Sequence, residues 1–166
     1  VEDLLRGIIV QSGNDASIVI AESLSGSEEQ FALEMNQRAR KLGLEQTNFV
    51  NATGWPDPEH QTTARDLARL AKRTITDFPQ YHHYYAEKTF TYNGIRQGNR
   101  NPLLYKDLGA DGMKTGHTQV SGYGLVATVK RGERRLILVV NGLPSVKTRA
   151  RESERLIEWG YREFEN

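Results

Sequence analysis

The sequence contains no cysteine. This absence excludes a disulfide framework, a thiolate metal site and a cysteine nucleophile, and it leaves the redox compartment open. An excess of one charge is also lacking, because 22 Lys and Arg stand against 21 Asp and Glu, for a formal net charge of +1. Nucleic-acid binders usually carry a strong basic excess, so this balance argues against that class. No run of about 18 apolar residues occurs, so no segment of these residues is predicted to span a membrane.

The chain is long enough for a hydrophobic core. Its 166 residues, 37% of them hydrophobic, match one domain of the usual size, about 100–200 residues. The opening segment, VEDLLRGIIVQSG, has the pattern of a helix interior, with no initiator Met, signal peptide or lead-in loop. We therefore expect a fragment or a processed chain.

Helical periodicity dominates the first half, about residues 1–85. Helix starts are marked by Ser and Thr, including a capping box at Ser27-Glu28-Glu29-Gln30, and helix ends are marked by Gly and Pro. These signals predict four helices: one ending at Gly13, one over Asp15–Leu24 closing at Gly26, one from Ser27 to Leu42, and one capped by Thr62 or Thr63 and ended before Pro79.

Strand patterns follow, from about residue 86. Asn93-Gly94 predicts a hairpin turn after Lys88–Tyr92, and residues 98–113 are predicted to be irregular. The apolar runs 124–129 and 136–140 predict a second antiparallel hairpin, buried on both faces beneath helices. Residues 145–164 predict a final helix. The order indicates an α+β domain, and we expect strands that flank this hairpin to lie upstream of Val1, since two open edges would be unstable.

Two short motifs could carry chemistry: Ser12-Gly13-Asn14 and Lys114-Thr115-Gly116. Taken alone, each motif is explained equally well by a turn between two elements. In this order, about 100 positions apart, they match the second and third signatures of the active-site serine enzymes that handle penicillin. With their flanks, the stretch NGIRQGNRN and the final helix, the chain resembles the low-molecular-mass penicillin-binding proteins that are D-alanyl-D-alanine carboxypeptidases, over essentially all its length.

The resemblance implies a transpeptidase-like α+β fold (an α/β sandwich), in which an antiparallel sheet has helices on both sides and a helical subdomain. Residues 1–166 would be part of that domain, with the helical part over about 1–85 and the sheet hairpin and C-terminal helix over about 86–166. The implied activity is serine-type removal of the terminal D-Ala from peptidoglycan stem peptides, through an acyl-enzyme that β-lactams also form. It needs no metal or organic cofactor.

Acyl transfer requires an activated serine, a proton shuttle, an oxyanion hole and a positively charged group that binds the terminal carboxylate of the substrate. By the resemblance, three residues of the motifs are catalytic. Ser12 would relay a proton to the leaving amine, and Asn14 would hold the substrate backbone and orient the base. Lys114 would supply positive charge near the carboxylate and lower neighbouring pKa values.

Five further residues are implied in substrate binding. The Thr115 hydroxyl would hydrogen-bond the terminal carboxylate, and Gly116 would leave the strand without a side chain where the substrate lies. The backbone N–H of His117 would be an oxyanion-hole donor. Arg149 and Arg100 would shape the carboxylate pocket and the cleft. The adjacent His82 and His83 are predicted to belong to a packed aromatic helix end, since neighbouring helical residues do not face one metal ion.

The sequence departs from the family at the nucleophile. Family members carry Ser-x-x-Lys, whereas none of the eight serines here has Lys three residues on. The nucleophile and its base are therefore expected upstream of Val1, or on a second chain, and the isolated chain is expected to be inactive. A non-catalytic binding or scaffold fragment and a D,D-endopeptidase stay open as alternatives. The resemblance also implies a periplasmic location, at the outer face of a bacterial inner membrane, with membrane association through a missing C-terminal segment.

Overall fold

The computed structural model of the protein describes residues 1–164. Its helices are α1 (Glu2–Arg6), α2 (Asn14–Ser25), α3 (Glu28–Leu42), α4 (Ala64–Asp77), α5 (His83–Ala86) and α6 (Val146–Glu163). Its strands are β1 (Thr89–Tyr92), β2 (Ile95–Gly98), β3 (Ala110–Thr118), β4 (Gly122–Arg131) and β5 (Arg134–Leu143). A π-helical turn over Gly7–Gln11 continues α1. Helices, then antiparallel strands, then a final helix make an α+β architecture, as predicted. Within the described residues, no helix has the length and apolarity needed to cross a membrane.

The predicted helix boundaries are set by local side-chain chemistry. The Ser27 Oγ accepts a hydrogen bond of 3.1 Å from the Gln30 backbone N–H, which confirms the cap at the start of α3. Thr63, rather than Thr62, caps α4. Gly26 and Gly43 end α2 and α3 in the left-handed conformation, with φ of 82° and 74°. The predicted stop at Gly13 is wrong by one residue, because Ser12 takes the left-handed position there.

One strand of the sheet begins earlier than the sequence predicted. β3 pairs antiparallel with β4, and β4 pairs antiparallel with β5. Residues 98–113 were predicted to be irregular, but β3 begins at Ala110 and carries Lys114-Thr115-Gly116 within it. The strand pattern is weak because a bulge between Ala110 and Gly112 breaks the alternation. Pairing with β4 therefore defines this strand more than its own composition does.

Helices cover both faces of the sheet, as predicted. On one face, Leu125, Ala127 and Val129 of β4 pack with Ile157 of α6 in the main hydrophobic core. Thr128 faces the opposite side, where α5 contacts β3. The prediction of burial on both faces holds for most of β4 but is wrong for β5, whose residues are half-buried or exposed. β5 has one neighbouring strand, β4, within the described residues.

A buried asparagine joins the segment before β3 to the strand. Asn101 is fully buried, and its Nδ2 donates a hydrogen bond of 3.0 Å to the carbonyl oxygen of Gly112. Its Oδ1 accepts from the Leu103 N–H at 3.1 Å, and its own N–H donates to Asn99 Oδ1 at 2.9 Å. This network holds the segment containing Arg100 against the start of β3.

We expect Asn101→Ala to lower the free energy of unfolding by roughly 2–3 kcal/mol, because it leaves a buried carbonyl and a buried N–H without partners. Urea denaturation of the two proteins measures this difference. Gln37→Ala, on the exposed face of α3, is the matched control and should change stability by less than about 0.5 kcal/mol. Equal effects of the two substitutions would contradict the role of Asn101.

Candidate active site

Ser12 lies at the junction of the π-helical turn and α2, in a conformation that few non-glycine residues adopt. Its φ and ψ are 58° and 44°, in the left-handed region. A non-glycine residue there costs about 1–2 kcal/mol and persists where surrounding contacts hold it. The next N–H, of Gly13, donates to the carbonyl oxygen of Gly7 at 3.0 Å, which closes the turn. The turn therefore fixes the direction of the Ser12 side chain.

The structure brings Ser12 together with Lys114. The Lys114 Nζ donates a hydrogen bond of 2.5 Å to Ser12 Oγ, across 102 positions of sequence. It also donates to the carbonyl oxygen of Thr115 at 2.9 Å. An ammonium and a hydroxyl in direct contact form a path along which a proton can move.

The surroundings of Lys114 weaken its hold on a proton. Burial, together with the positive charges of Arg100 and Arg149, lowers the pKa of its ammonium to about 8. Lys114 therefore changes charge state close to neutral pH.

Arg149 is the most unusual charged residue of the site. It is 4% exposed, although it lies on α6. Its two terminal nitrogens donate long hydrogen bonds of 3.4 Å to the carbonyl oxygens of Gly124 and Arg100, and its Nε has no partner. Within residues 1–164, no carboxylate forms an ion pair with it. Burial lowers the pKa of its guanidinium. A buried cation in this state favours an incoming anion.

The strand beside Lys114 is open where a ligand could lie. Gly116 is exposed, and a Cβ at that position would meet no atom within 4 Å. Thr115 is half-buried, and His117 is exposed. The ring of His117 stacks on Tyr123 of β4, with 3.9 Å between ring centroids. β3 therefore presents an open surface at Gly116, two residues beyond the lysine that contacts Ser12.

Two predicted site residues are less tightly held. Arg100 is exposed, and its carbonyl oxygen accepts from Arg149. Asn14, the first residue of α2, is also exposed, and within the described residues its side chain hydrogen-bonds neither Ser12 nor Lys114. The structure thus joins Ser12 to Lys114 and Arg149 to Arg100 by direct contacts, and it leaves Asn14 beside them without one.

A polar cluster that the motifs did not predict lies at the start of β3. Asp111 accepts hydrogen bonds from Arg135 (2.7 and 2.6 Å) and from the Thr128 hydroxyl (2.7 Å), and His82 Nε2 lies 3.2 Å from it. Burial raises the pKa of the Asp111 carboxyl, but the contacts with His82, Arg135 and Thr128 outweigh it and hold the pKa well below its usual range. The cluster anchors the strand three residues before Lys114. Its one sequence signal was an acidic residue, Asp111, three positions before the second motif.

Asp111→Asn should lower the free energy of unfolding at pH 7 by roughly 2 kcal/mol, since it leaves Arg135 half-buried without its counter-ion. Because the folded-state pKa of Asp111 is depressed, its contribution is present above about pH 4 and is lost as the pH falls below that value. Urea denaturation of both proteins from pH 7 to pH 3 should show the difference shrinking with acid. The exposed Asp107→Asn is the control, and a pH-independent difference would contradict the assignment.

Within residues 1–164, no group of three or more His, Asp or Glu residues is arranged to hold a metal ion.

Comparison with known proteins identifies the family of this chain. Residues 1–145 match the family described as D-alanyl-D-alanine carboxypeptidase. The chain is 49% identical over 166 residues to D-alanyl-D-alanine carboxypeptidase DacC of Escherichia coli. The aligned region covers 99% of this chain and 42% of that protein. The chain thus spans less than half the length of this relative.

Solved structures show the same fold. The crystal structure of penicillin binding protein 5 from Haemophilus influenzae superposes with a TM-score of 0.93 at 46% identity, over 96% of this chain and 47% of that one. Penicillin-Binding Protein D2 from Listeria monocytogenes, in its ampicillin-bound form, gives a TM-score of 0.90 at 32% identity, over 97% and 67% of the two chains. The predicted penicillin-binding fold is confirmed, and the chain belongs to the D-alanyl-D-alanine carboxypeptidase family.

Proposed function

We propose that this chain forms part of the active site of a serine-type D-Ala-D-Ala carboxypeptidase. The whole protein would remove the terminal D-Ala of peptidoglycan stem peptides through an acyl-enzyme, and β-lactams would acylate the same serine. The observation that carries the proposal is the 2.5 Å contact between Lys114 Nζ and Ser12 Oγ, which joins the two motifs into one site.

In this function, Ser12 relays a proton from the nucleophile to the leaving D-Ala amine. Its hydroxyl can accept one hydrogen bond while it donates another. The ammonium of Lys114, hydrogen-bonded to Ser12 Oγ, would balance the negative charge that develops on this oxygen during proton transfer. A Lys114 pKa of about 8 suits a group that transfers or stabilises charge near neutral pH. Asn14, exposed at the start of α2, is available to the backbone of the substrate.

Arg149 would bind the terminal carboxylate of the substrate, because it is buried, cationic and unpaired. Thr115 and Lys114 would bind the same carboxylate from β3, and Arg100 would add positive charge at the cleft. The open side of Gly116 leaves room for the peptide along the strand, where the His117 N–H would stabilise the oxyanion. β-Lactams also carry a carboxylate, and the ampicillin-bound relative shows that a protein of this fold takes such a ligand.

The nucleophile has to come from outside these residues, since no serine here is followed by Lys at the third position. We propose that a Ser-x-x-Lys segment of the whole protein, or of a second chain, supplies it. The alternative of a non-catalytic binding fragment is favoured by this same absence. We place the enzyme in the periplasm, at the outer face of a bacterial inner membrane, because its substrate is there. Membrane attachment would come from a further segment of the whole protein.

The test compares the whole protein with the 166-residue chain. We expect the whole protein to be labelled by a fluorescent penicillin and to release D-Ala from a peptide ending in D-Ala-D-Ala, whereas the chain alone does neither. A whole protein that neither labels nor releases D-Ala would overturn the proposal. Cleavage of cross-linked muropeptide dimers without D-Ala release would assign a D,D-endopeptidase instead. Labelling of the chain alone would show that a serine within it is the nucleophile.

A further inference from the structure

Tyr123 contacts two residues of the site but belongs to neither motif. It is the second residue of β4 and the cross-strand partner of His117. The two rings stack with centroids 3.9 Å apart and planes inclined by 26°. The guanidinium carbon of Arg149 lies over the same tyrosine ring, 5.6 Å from its centroid. One side chain therefore links a residue of β3 to a residue of α6.

Within the described residues, the hydrogen bonds of the Arg149 guanidinium are few and long. Both of its hydrogen bonds are at 3.4 Å, near the limit for such a bond, and Nε has none. An aromatic face within about 6 Å attracts a guanidinium, and the attraction is stronger where water is excluded. Arg149 is 4% exposed. The Tyr123 ring is thus one of the groups that hold this cation in place, beside the carbonyl oxygens of Gly124 and Arg100.

We propose that Tyr123 is a positioning residue for recognition of the substrate carboxylate. Its ring holds the Arg149 guanidinium and, through the stack, the His117 ring, so that the cation and β3 keep a fixed separation. Tyr123 acts through these two residues and without contact to the substrate. The inference rests on the proposed function and identifies a residue that supports, through Arg149, the preference for a free C-terminal carboxylate.

The test uses the whole protein and two peptides that end in D-Ala-D-Ala, one with a free carboxylate and one with a C-terminal carboxamide. Tyr123→Leu should lower kcat/KM for the free acid by about tenfold, mainly through KM, because the ring–cation attraction is lost. The same variant should change kcat/KM for the carboxamide by less than about twofold, since that peptide offers Arg149 no charge. Tyr123→Phe keeps the ring and should stay within about twofold of the wild type on both peptides.

Equal losses on both peptides in Tyr123→Leu, or a Tyr123→Phe variant as impaired as Tyr123→Leu, would overturn the inference. Thermal denaturation shows whether each variant is folded. If Tyr123→Leu is not, Tyr123→Met, which fills more of the same volume without a ring, is assayed in its place. A wild-type protein inactive on both peptides would defeat the proposed function, whereas an active wild type with no difference between peptides in the variant would defeat this inference alone.

Discussion

Replacing Lys114 by alanine in the whole protein is expected to lower kcat/KM for a D-Ala-D-Ala peptide by roughly 10³-fold, and acylation by penicillin similarly. The substitution removes the cation that contacts Ser12 Oγ at 2.5 Å, and with it both the charge balance of the proposed relay and one proposed contact to the substrate carboxylate. The fold should be unaffected, because Lys114 is a desolvated cation whose removal relieves repulsion from Arg100 and Arg149. Penicillin labelling, D-Ala release and circular dichroism measure these three outcomes.

The pH profile distinguishes a charge role from a merely steric one. With a pKa of about 8, Lys114 is cationic below that pH and loses its charge as the pH rises through it. We therefore expect kcat/KM to fall above about pH 8 in the wild type. Lys114→Arg keeps the charge at all of these pH values, and its residual activity should show no fall at pH 8–10. The exposed Lys130→Ala is the matched control and should leave both rate and profile unchanged.

Activity of Lys114→Ala at the wild-type level would remove Lys114 from the mechanism. An unchanged fall above pH 8 in Lys114→Arg would assign that titration to another group.

Replacing Arg149 by methionine is expected to separate function from stability. The kcat/KM for a peptide with a free C-terminal carboxylate should drop roughly 10- to 100-fold. This loss corresponds to the free energy that charge-assisted hydrogen bonds to that carboxylate contribute. Thermal stability should be unchanged or higher, because the cation is buried without a carboxylate partner in the described residues and its burial costs free energy. Most substitutions at a buried position destabilise a protein, so a rise in Tm with a loss of activity would be diagnostic.

Arg151→Met is the control, since Arg151 lies on the same helix with an exposed side chain. It should change neither activity nor Tm appreciably. A large fall in Tm for Arg149→Met with retained activity would mean that Arg149 is a structural residue whose contacts with Gly124 and Arg100 matter more than ligand binding.

Local features of this chain were predictable because their causes are local. The cap at Ser27, the left-handed glycines that end α2 and α3, and the turn at Asn93-Gly94 each depend on a few adjacent residues, and all were found where predicted. The one local error, at Gly13, concerns a strained residue. Ser12 takes a left-handed conformation that its own chemistry disfavours, and besides the local Gly13–Gly7 hydrogen bond it is contacted by Lys114 from β3.

The candidate site was predictable only as a set of residues. Ser12, Lys114, Arg149 and Arg100 were identified from motifs and a family resemblance, but spacing along the chain does not say which side chains touch. Pairing of β3 with β4 places His117 opposite Tyr123, and packing of α6 on the sheet brings Arg149 to the same ring. Asp111, His82 and Arg135 lie far apart in sequence, and no motif joins them.

By itself the sequence determined the fold class, most element boundaries and the type of chemistry, because caps, turns and motifs each depend on a few neighbouring residues. The tertiary structure alone decided that β3 begins at Ala110, that Lys114 Nζ hydrogen-bonds Ser12 Oγ, and that Arg149 is a buried cation with no ion-pair partner among the described residues. The physical reason is the same in each case. Strand pairing, burial and the shift of a pKa depend on groups brought together across the whole chain, and their energies do not exist until it is folded.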